Sequence, residues 1–221
     1  MKLYRHYKQK YYKLYGIAKH SETLTDVAYY ECLYENTAGQ FWVRPDELFF
    51  GNIELNGKTV PRFEEVKLQI QPPLPADKNQ LKELKLFFDS LAGHDRENSP
   101  FEQLPEEKTL FISKALIEDQ LVAALISYRL TSHIFHNVWG GVTPALQRLG
   151  IASDLLGTQL DWCLANGYTH LRTQIPNTFT PALHLHLTQG FTIVGTDPKD
   201  PTKDPNGPAQ ELLINFIKKL M

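Results

Sequence analysis

The stretch VTPALQRLGIASDLL, residues 142–156, places a proline, a Gln-Arg pair and one glycine in front of a Leu-rich helix. The first turn of such a helix offers backbone N–H groups at the positive end of the helix dipole. Gly150 and Ala152 are too small to block a ligand, and Arg148 can add a charge-assisted contact to a phosphate. The pattern suits an anion such as pyrophosphate, and a helix that simply starts after a turn is the alternative.

The segments on either side of this stretch are a predicted strand and a predicted helix. The strand IFHNVWGGV, residues 134–142, contains the pair Gly140-Gly141, which indicates a β-bulge or a close approach by another group. The helix is predicted to begin at about Gly150 and to end at Asn166-Gly167. Its apolar face consists of Ile151, Leu155, Leu156, Leu160 and Cys163.

The domain organisation follows from one proline-rich segment. QPPLPADKNQ, residues 71–80, opposes both helix and central strand, and is predicted to be an extended linker. Residues 1–70 contain short stretches rich in Tyr, Phe, Val and Ile, with Asn56-Gly57 as a hairpin turn, which predicts a small β-rich, barrel-like domain. Residues 81–221 alternate strand and helix patterns, so we expect a mixed-sheet domain and an α/β fold class of the α+β type.

Composition and charge exclude several classes of protein. The 221 residues are 42% hydrophobic and 22% charged with a formal net charge of −2, which argues against nucleic-acid binding by bulk electrostatics. The N-terminus lacks the apolar core of a signal peptide, so we expect a cytoplasmic protein with no membrane partner. Cys32 and Cys163 show no metal-ligand spacing, and no metal site is expected.

A longer pattern carries a family resemblance. Its residues, in chain order, are Val142, Pro144, Gln147, Arg148, Gly150, Ile151, Ala152, Asn177, Ala182, Leu185, His186, Gly190 and Phe191. Over about residues 78–221 the chain resembles the GNAT superfamily of N-acetyltransferases. The resemblance implies acetyl-CoA as co-substrate, with its pyrophosphate on the amides of residues 147–153 and its pantetheine arm near Val142 and Asn177. The implied binding residues are Gly141, Val142, Gln147, Arg148, Leu149, Gly150, Ile151, Ala152, Ser153 and Asn177.

The chemistry that the resemblance implies is direct attack of an amine on a thioester. It needs a route for the amine proton, a donor for the oxyanion and an acid for the thiolate. A bulge at residues 140–142 would aim an amide at the oxyanion. His186 stands where many relatives carry a tyrosine acid, and is the candidate general acid; a residue that only lines the pocket is the alternative. His136 is the candidate base, with a packed or solvated histidine as the alternative.

Residues 3–66 resemble a small bacterial domain of unknown function through the signatures YRHYK, HSET, WVRP and PRF. This resemblance implies a fold and boundaries but no activity. The first 20 residues hold six Lys or Arg, five Tyr and no acid, a mixture that suits single-stranded nucleic acid or a nucleotide. Nine acidic residues follow in the same domain, so a solvated face over an aromatic core is the favoured interpretation.

Together these patterns predict an N-acetyltransferase that uses acetyl-CoA. The expected acceptor is a primary amine of a small molecule or of a nucleotide-linked sugar, and a protein or peptide amine is the alternative. A non-catalytic acyl-CoA sensor, whose N-terminal domain binds nucleic acid or protein, is the alternative from another class, favoured by histidine in place of tyrosine at position 186. The sequence leaves the oligomeric state open.

Overall fold

The chain folds into two units. The structure is a computed structural model that describes residues 2–91, 104–105, 107–198 and 212–220. Its backbone contacts divide the chain into Met1–Leu68 and Gln69–Met221. The division falls beside the residue-70 boundary that the composition predicts.

The first unit is built around an antiparallel sheet. Its elements are β1 (Lys2–His6), β2 (Tyr11–Lys19), β3 (Asp26–Cys32), β4 (Phe41–Pro45), α1 (Asp46–Phe50), β5 (Asn52–Leu55), β6 (Lys58–Pro61) and β7 (Phe63–Val66). Five strands pair in the order β4-β3-β2-β1-β7, while β5 and β6 form a separate hairpin. The hairpin turns at Asn56 and Gly57, whose φ angles of 51° and 74° are those of the predicted tight turn. Since β4 and β7 remain separate edges, the sheet is open and the barrel-like closure is not formed.

The core of this unit is aromatic. The rings of Phe49 and Phe63 stack 4.2 Å apart, and Tyr30 packs on them at 5.1 and 5.6 Å. Tyr4 and Tyr12 are also buried. Part of the tyrosine-rich pattern near the N-terminus is therefore core.

The second unit is a single mixed sheet with helices. Its elements are β8 (Leu68–Pro75), α2 (Lys78–Leu91), β9 (Leu110–Ile117), β10 (Gln120–Arg129), β11 (Ile134–Val142), α3 (Ile151–Ala165), β12 (His170–Pro176), α4 (Thr180–Thr188), β13 (Thr192–Pro198) and β14 (Leu212–Lys219). The strand order is β13-β14-β12-β11-β10-β9-β8. Strands β11 and β12 are parallel and are connected through α3, whereas β9–β10, β10–β11, β12–β14 and β13–β14 are antiparallel. This confirms the α+β class.

The proline-rich segment 71–80 differs from the expected extended linker. Residues 71–75 complete strand β8, and residues 78–80 begin helix α2. Strand β8 lies at the edge of the sheet, where the missing N–H of a proline leaves no ladder position unpaired. The helix start carries a capping box, since Asp77 Oδ1 accepts from Gln80 N at 2.8 Å and Gln80 Oε1 accepts from Asp77 N at 3.1 Å.

Helices cover both faces of the large sheet. On one side, here the α2 face, Leu84 and Phe88 pack against Ile126 and its neighbours on β9 and β10. On the other side, the α3 face, helices α3 and α4 pack on Phe135 and Phe216. All five residues of the predicted apolar face of α3 are buried.

Strands β11 and β12 separate part-way along their length. Their pairing runs from Ile134 with His170 to Asn137 with Thr173, although both strands continue beyond it. Val138 is passed over in the pairing of β11 with β10, which is a β-bulge. A bulge bends its strand and increases its twist. The sheet therefore opens between β11 and β12, next to the loop that leads into α3.

Candidate functional site

The loop before α3 has an unusual backbone. A short 3₁₀ turn, Pro144–Leu146, is followed by Arg148 with φ of 65° and Gly150 with φ of 86°. Glycine adopts the left-handed region readily, but arginine pays a steric penalty there. Strained residues of this kind persist where the surrounding structure fixes them, and they cluster at ligand sites.

The backbone amides of this loop lack partners. The first helical hydrogen bond of α3 runs from Asp154 N to Gly150 O at 2.9 Å, and no side chain caps the helix. Among the described residues, the amides of residues 148–153 donate to no acceptor. Unpaired amides at the positive end of a 15-residue helix are the kind of donor set that suits an anion. The residues present therefore fit the pyrophosphate of a CoA thioester.

The side chains of the loop divide into anchors and exposed groups. Leu149 and Ile151 are buried, so they fix the loop and offer only their amides to a ligand. Arg148 is exposed, while Ala152 and Ser153 are half-buried. Gln147 Nε2 donates to Val142 O at 3.1 Å, so its side chain ties the loop to the end of β11.

The two glycines of β11 permit close packing. A Cβ at Gly140 would overlap Leu125 Cδ2, and one at Gly141 would overlap Leu91 Cδ1 and lie 3.2 Å from Phe88 Cε1, both of α2. The predicted close approach is thus made by the protein's own side chains. The bulge lies at Val138 and not at residues 140–142, because the register changes opposite Ile126 and Ser127. An oxyanion donor aimed by the bulge would come from the backbone beside Val138.

A closed triangle of buried polar side chains lies on the α3 face where the sheet begins to open. Ser127 Oγ donates to Asn137 Oδ1 at 3.0 Å, Asn137 Nδ2 to Gln159 Oε1 at 2.7 Å, and Gln159 Nε2 to Ser127 Oγ at 2.7 Å. All three residues are buried. The triangle fixes α3 against β10 and β11 through directional bonds. The sequence signal for this triangle is a glutamine, Gln159, next to Leu160 on the apolar side of the predicted helix. The sequence-based prediction did not include it.

His186 belongs to α4 and is buried in the core on the α3 face. Its Nδ1 donates to Ala182 O at 2.8 Å, and its ring packs on Phe191 and Phe216 at 4.9 and 5.8 Å. Burial lowers the pKa of His186, and the hydrogen bond to Ala182 opposes that shift. The imidazole is therefore neutral at neutral pH, and Nε2 is the nitrogen left for a ligand.

Asn177 is held by the sheet. Its backbone N–H donates to Leu212 O at 2.8 Å, and its Oδ1 accepts from Leu212 N at 3.1 Å. These bonds continue the pairing of β12 with β14. The side chain serves strand pairing, and only its amide nitrogen remains for a pantetheine arm.

His136 lies on the opposite face of the sheet from His186. It pairs with Tyr128 on one side and with Arg172 on the other, and its ring is 5.1 Å from that of Tyr128. Burial, followed by the charges of Arg172 and Lys108, lowers the pKa of His136 to about 4. His136 Nδ1 and Arg172 Nε are both buried without a hydrogen-bond partner among the described residues. The structure does not bring the two candidate histidines together.

Comparisons with known proteins agree with this architecture. The mixed sheet, its crossover helix and the unpaired amides in front of that helix define an acyltransferase fold. The family model of the acetyltransferase (GNAT) family matches residues 79–191, and the chain belongs to this family. The model of DUF1653, a protein family of unknown function, matches residues 2–65. No curated protein matches the chain significantly.

Solved structures show the same fold at low identity. A GNAT acetyltransferase from Elizabethkingia anophelis with acetyl-CoA bound is 18% identical, with a TM-score of 0.54 over 69% of this chain and 98% of that one. An IAA acetyltransferase from Bacillus cereus is 18% identical, with a TM-score of 0.53 over 70% and 100%. The ribosomal-protein alanine N-acetyltransferase of Escherichia coli is 16% identical, with a TM-score of 0.52 over 70% and 94%.

Two kinds of element are absent from the described residues. None of the helices in this part of the chain has the length and apolarity needed to cross a membrane. The same residues hold no group of three or more side chains arranged to bind a metal ion.

Proposed function

We propose that the protein is an acyl-CoA-dependent N-acyltransferase that transfers acetyl from acetyl-CoA to a primary amine of a small molecule. The observation that carries this proposal is the row of unpaired amides at residues 148–153 in front of α3. The opening between β11 and β12 lies beside that loop, and gives a thioester bound there a route to the other face of the sheet.

The reaction that fits this arrangement is direct acyl transfer. The amine nitrogen attacks the thioester carbonyl carbon, the C–S bond breaks, and the proton lost by nitrogen balances the charge on the departing thiolate. A backbone N–H beside the Val138 bulge stabilises the oxyanion. His186 lies on the α3 face, and because its Nδ1–H donates to Ala182 O, its Nε2 is unprotonated in the neutral ring. Nε2 takes up the proton that the amine loses and passes it to the thiolate.

The acceptor approaches from the α2 face in this proposal. Trp139 is 41% exposed there, and the two unpartnered nitrogens, of His136 and Arg172, are buried on the same side of the sheet. His136 relays the amine proton through water rather than as a strong base, because its pKa of about 4 lies far below that of an ammonium. The acceptors named for the structural neighbours include a protein, so a protein or peptide amine is the competing acceptor.

The test is a pair of measurements on the full chain. Acetyl-CoA binding is measured by calorimetry, and thiol release is measured with a panel of small amines and peptides. Gly150→Glu sets an anion against the bound pyrophosphate and should abolish binding. Gly150→Asn keeps a residue that tolerates φ of 86° without the charge, and should retain most of the affinity.

A matched control separates local repulsion from a general effect of charge. Gly157→Glu makes the same change on the same helix about 10 Å further along, where an added Cβ meets nothing within 4 Å. It should bind acetyl-CoA nearly as well as the unchanged protein. Equal affinity in folded Gly150→Glu protein contradicts the binding site, and binding without turnover of any amine favours the sensor.

A further inference from the structure

The signature segments of the first unit bring cationic side chains to one place. His6 pairs with Phe63 across β1 and β7, and Tyr7 N donates to Arg62 O at 3.1 Å. The PRF and YRHYK signatures are therefore neighbours. Arg44, from the WVRP signature, donates through Nε to Tyr30 Oη at 3.4 Å. His6 and Tyr30 both pack on the ring of Phe63, at 4.7 and 5.6 Å.

The cations of this cluster lack acidic partners. Within residues 2–68, Arg5 pairs with Glu64 and Lys19 with Asp26, whereas Lys8, Arg44 and Arg62 lie in no ion pair. Burial first, and then the charges of Arg62, Lys8 and Arg44, lower the pKa of His6 to about 4. The positive charges of Lys8, Arg44 and Arg62 lie beside packed aromatic rings, where the effective dielectric constant is low, and they repel one another. A bound anion would remove that repulsion.

The neutral histidine adds a directed donor. His6 Nδ1 accepts from Lys8 N at 3.3 Å, so the ring proton of the neutral form resides on Nε2. His6 Nε2–H donates to no acceptor among the described residues. Two guanidinium groups and one imidazole N–H form a donor set for a phosphate, because guanidinium groups bind phosphate through paired N–H donors.

Aromatic rings border the cluster. The half-buried ring of Tyr7 lies 4.1 Å from that of His6, and Lys10 lies over the half-buried ring of Tyr34 at 5.2 Å. Partly exposed rings next to cations favour a ligand that has both a phosphate and a flat base.

We propose that the first unit binds the phosphate group of a nucleotide, free or within a single-stranded nucleic acid, at a site formed by His6, Arg44 and Arg62. This site belongs to the DUF1653 unit and is separate from the amide loop of the acetyltransferase unit. It assigns a ligand class to a domain that no comparison connects with one.

The test is a calorimetric titration of the full chain with AMP, with inorganic phosphate and with a 5′-phosphorylated oligothymidylate. The titration is made with CoA saturating and again in the Gly150→Glu protein, so that binding at α3 is excluded in both. Arg62→Ala and Arg44→Ala should each weaken binding about tenfold or more. Lys58→Ala removes one exposed charge from the β5–β6 hairpin and should change affinity by less than about twofold.

The three probes distinguish the sources of the phosphate. Tighter binding of AMP than of inorganic phosphate supports a nucleotide, and tighter binding of the oligothymidylate supports a single strand. Arg62→Gln is the second variant if Arg62→Ala fails to fold. Absence of binding by all three probes overturns the proposal, as does equal weakening by Lys58→Ala and Arg62→Ala.

Discussion

Asn137 Nδ2 donates to Gln159 Oε1 at 2.7 Å, and this bond joins α3 to β11 at the last residue before β11 and β12 separate. The amide loop is the start of α3, and the sheet opening begins beside Asn137. This buried hydrogen bond therefore connects the helix that follows the amide loop to the strand at which the sheet opens. Ser127 bonds to both Asn137 and Gln159 and closes the triangle. Loss of any one of the three side chains therefore leaves hydrogen-bonding groups of the other two unpaired.

Removing a member of this triangle should destabilise the second unit. Asn137→Ala and Gln159→Ala each leave buried polar groups without partners, at a cost of about 1–3 kcal/mol in unfolding free energy. In a double-mutant cycle the two changes should couple by about 0.5–3 kcal/mol. Urea unfolding measures both, followed by tryptophan fluorescence in a chain whose Trp42 and Trp139 are replaced by phenylalanine so that Trp162 alone reports. Strict additivity of the two changes would mean that the bond contributes nothing.

Two glycines of the α3 region should respond to alanine in opposite directions. Gly157 lies inside α3 with open space around an added Cβ, so Gly157→Ala should stabilise the unit by about 0.5–1 kcal/mol. Gly150 has φ of 86°, and alanine there is strained although its Cβ also has space. Gly150→Ala should therefore lower the melting temperature. A rise in melting temperature with both variants would show that alanine at position 150 is not strained.

His186 should matter for turnover more than for acetyl-CoA affinity. His186→Phe retains an aromatic ring beside Phe191 and Phe216 but removes Nε2, the nitrogen proposed to pass a proton to the thiolate, and should lower kcat by about 10²-fold with little change in KM for acetyl-CoA. His186→Tyr restores a donor and should recover part of the rate. If kcat of His186→Phe stays within a few-fold of that of the unchanged protein, water or another group protonates the thiolate.

Removing the charge of Arg172 should raise the pKa of His136. Burial is the larger cause of the low value, about 4, and Arg172 is the next. In Arg172→Met the imidazole titrates at a higher pH, which NMR of the histidine ring protons measures. Lys114→Met on β9 removes a charge that pairs with Glu83 of α2, and should leave the titration of His136 unchanged. If the pKa of His136 is unchanged in Arg172→Met, the two residues are not electrostatically coupled.

Stability should fall as the pH drops from about 6.5 towards 4. The pKa of His136 is about 4 in the folded chain and returns to 6.5 on unfolding, so the unfolded chain binds more protons between these values. The stabilisation is complete above pH 6.5 and is lost as the pH approaches 4. His136→Phe should reduce the slope of melting temperature against pH. A slope equal to that of the unchanged protein would exclude His136 as a source.

Local patterns in the sequence determined the elements that depend on neighbouring residues. The apolar repeat from Ile151 to Cys163 and the glycine before it fixed the bounds and buried side of α3, because helical periodicity is a property of consecutive residues. Asn56-Gly57 fixed a hairpin turn in the same way. The signature patterns also determined the family of each unit.

Only the tertiary structure decided what lies together across strands. The sheet opening at Asn137, the Ser127 and Gln159 partners of that residue, and the placement of His136 and His186 on opposite faces all depend on strand order and register. Strand β8 is a second example of a feature that the sequence alone did not decide. Its prolines are disfavoured in a central strand, and they are tolerated because the fold places that strand at the edge of the sheet. Such contacts join residues far apart in the chain, and their free energy is set by packing that no local pattern records.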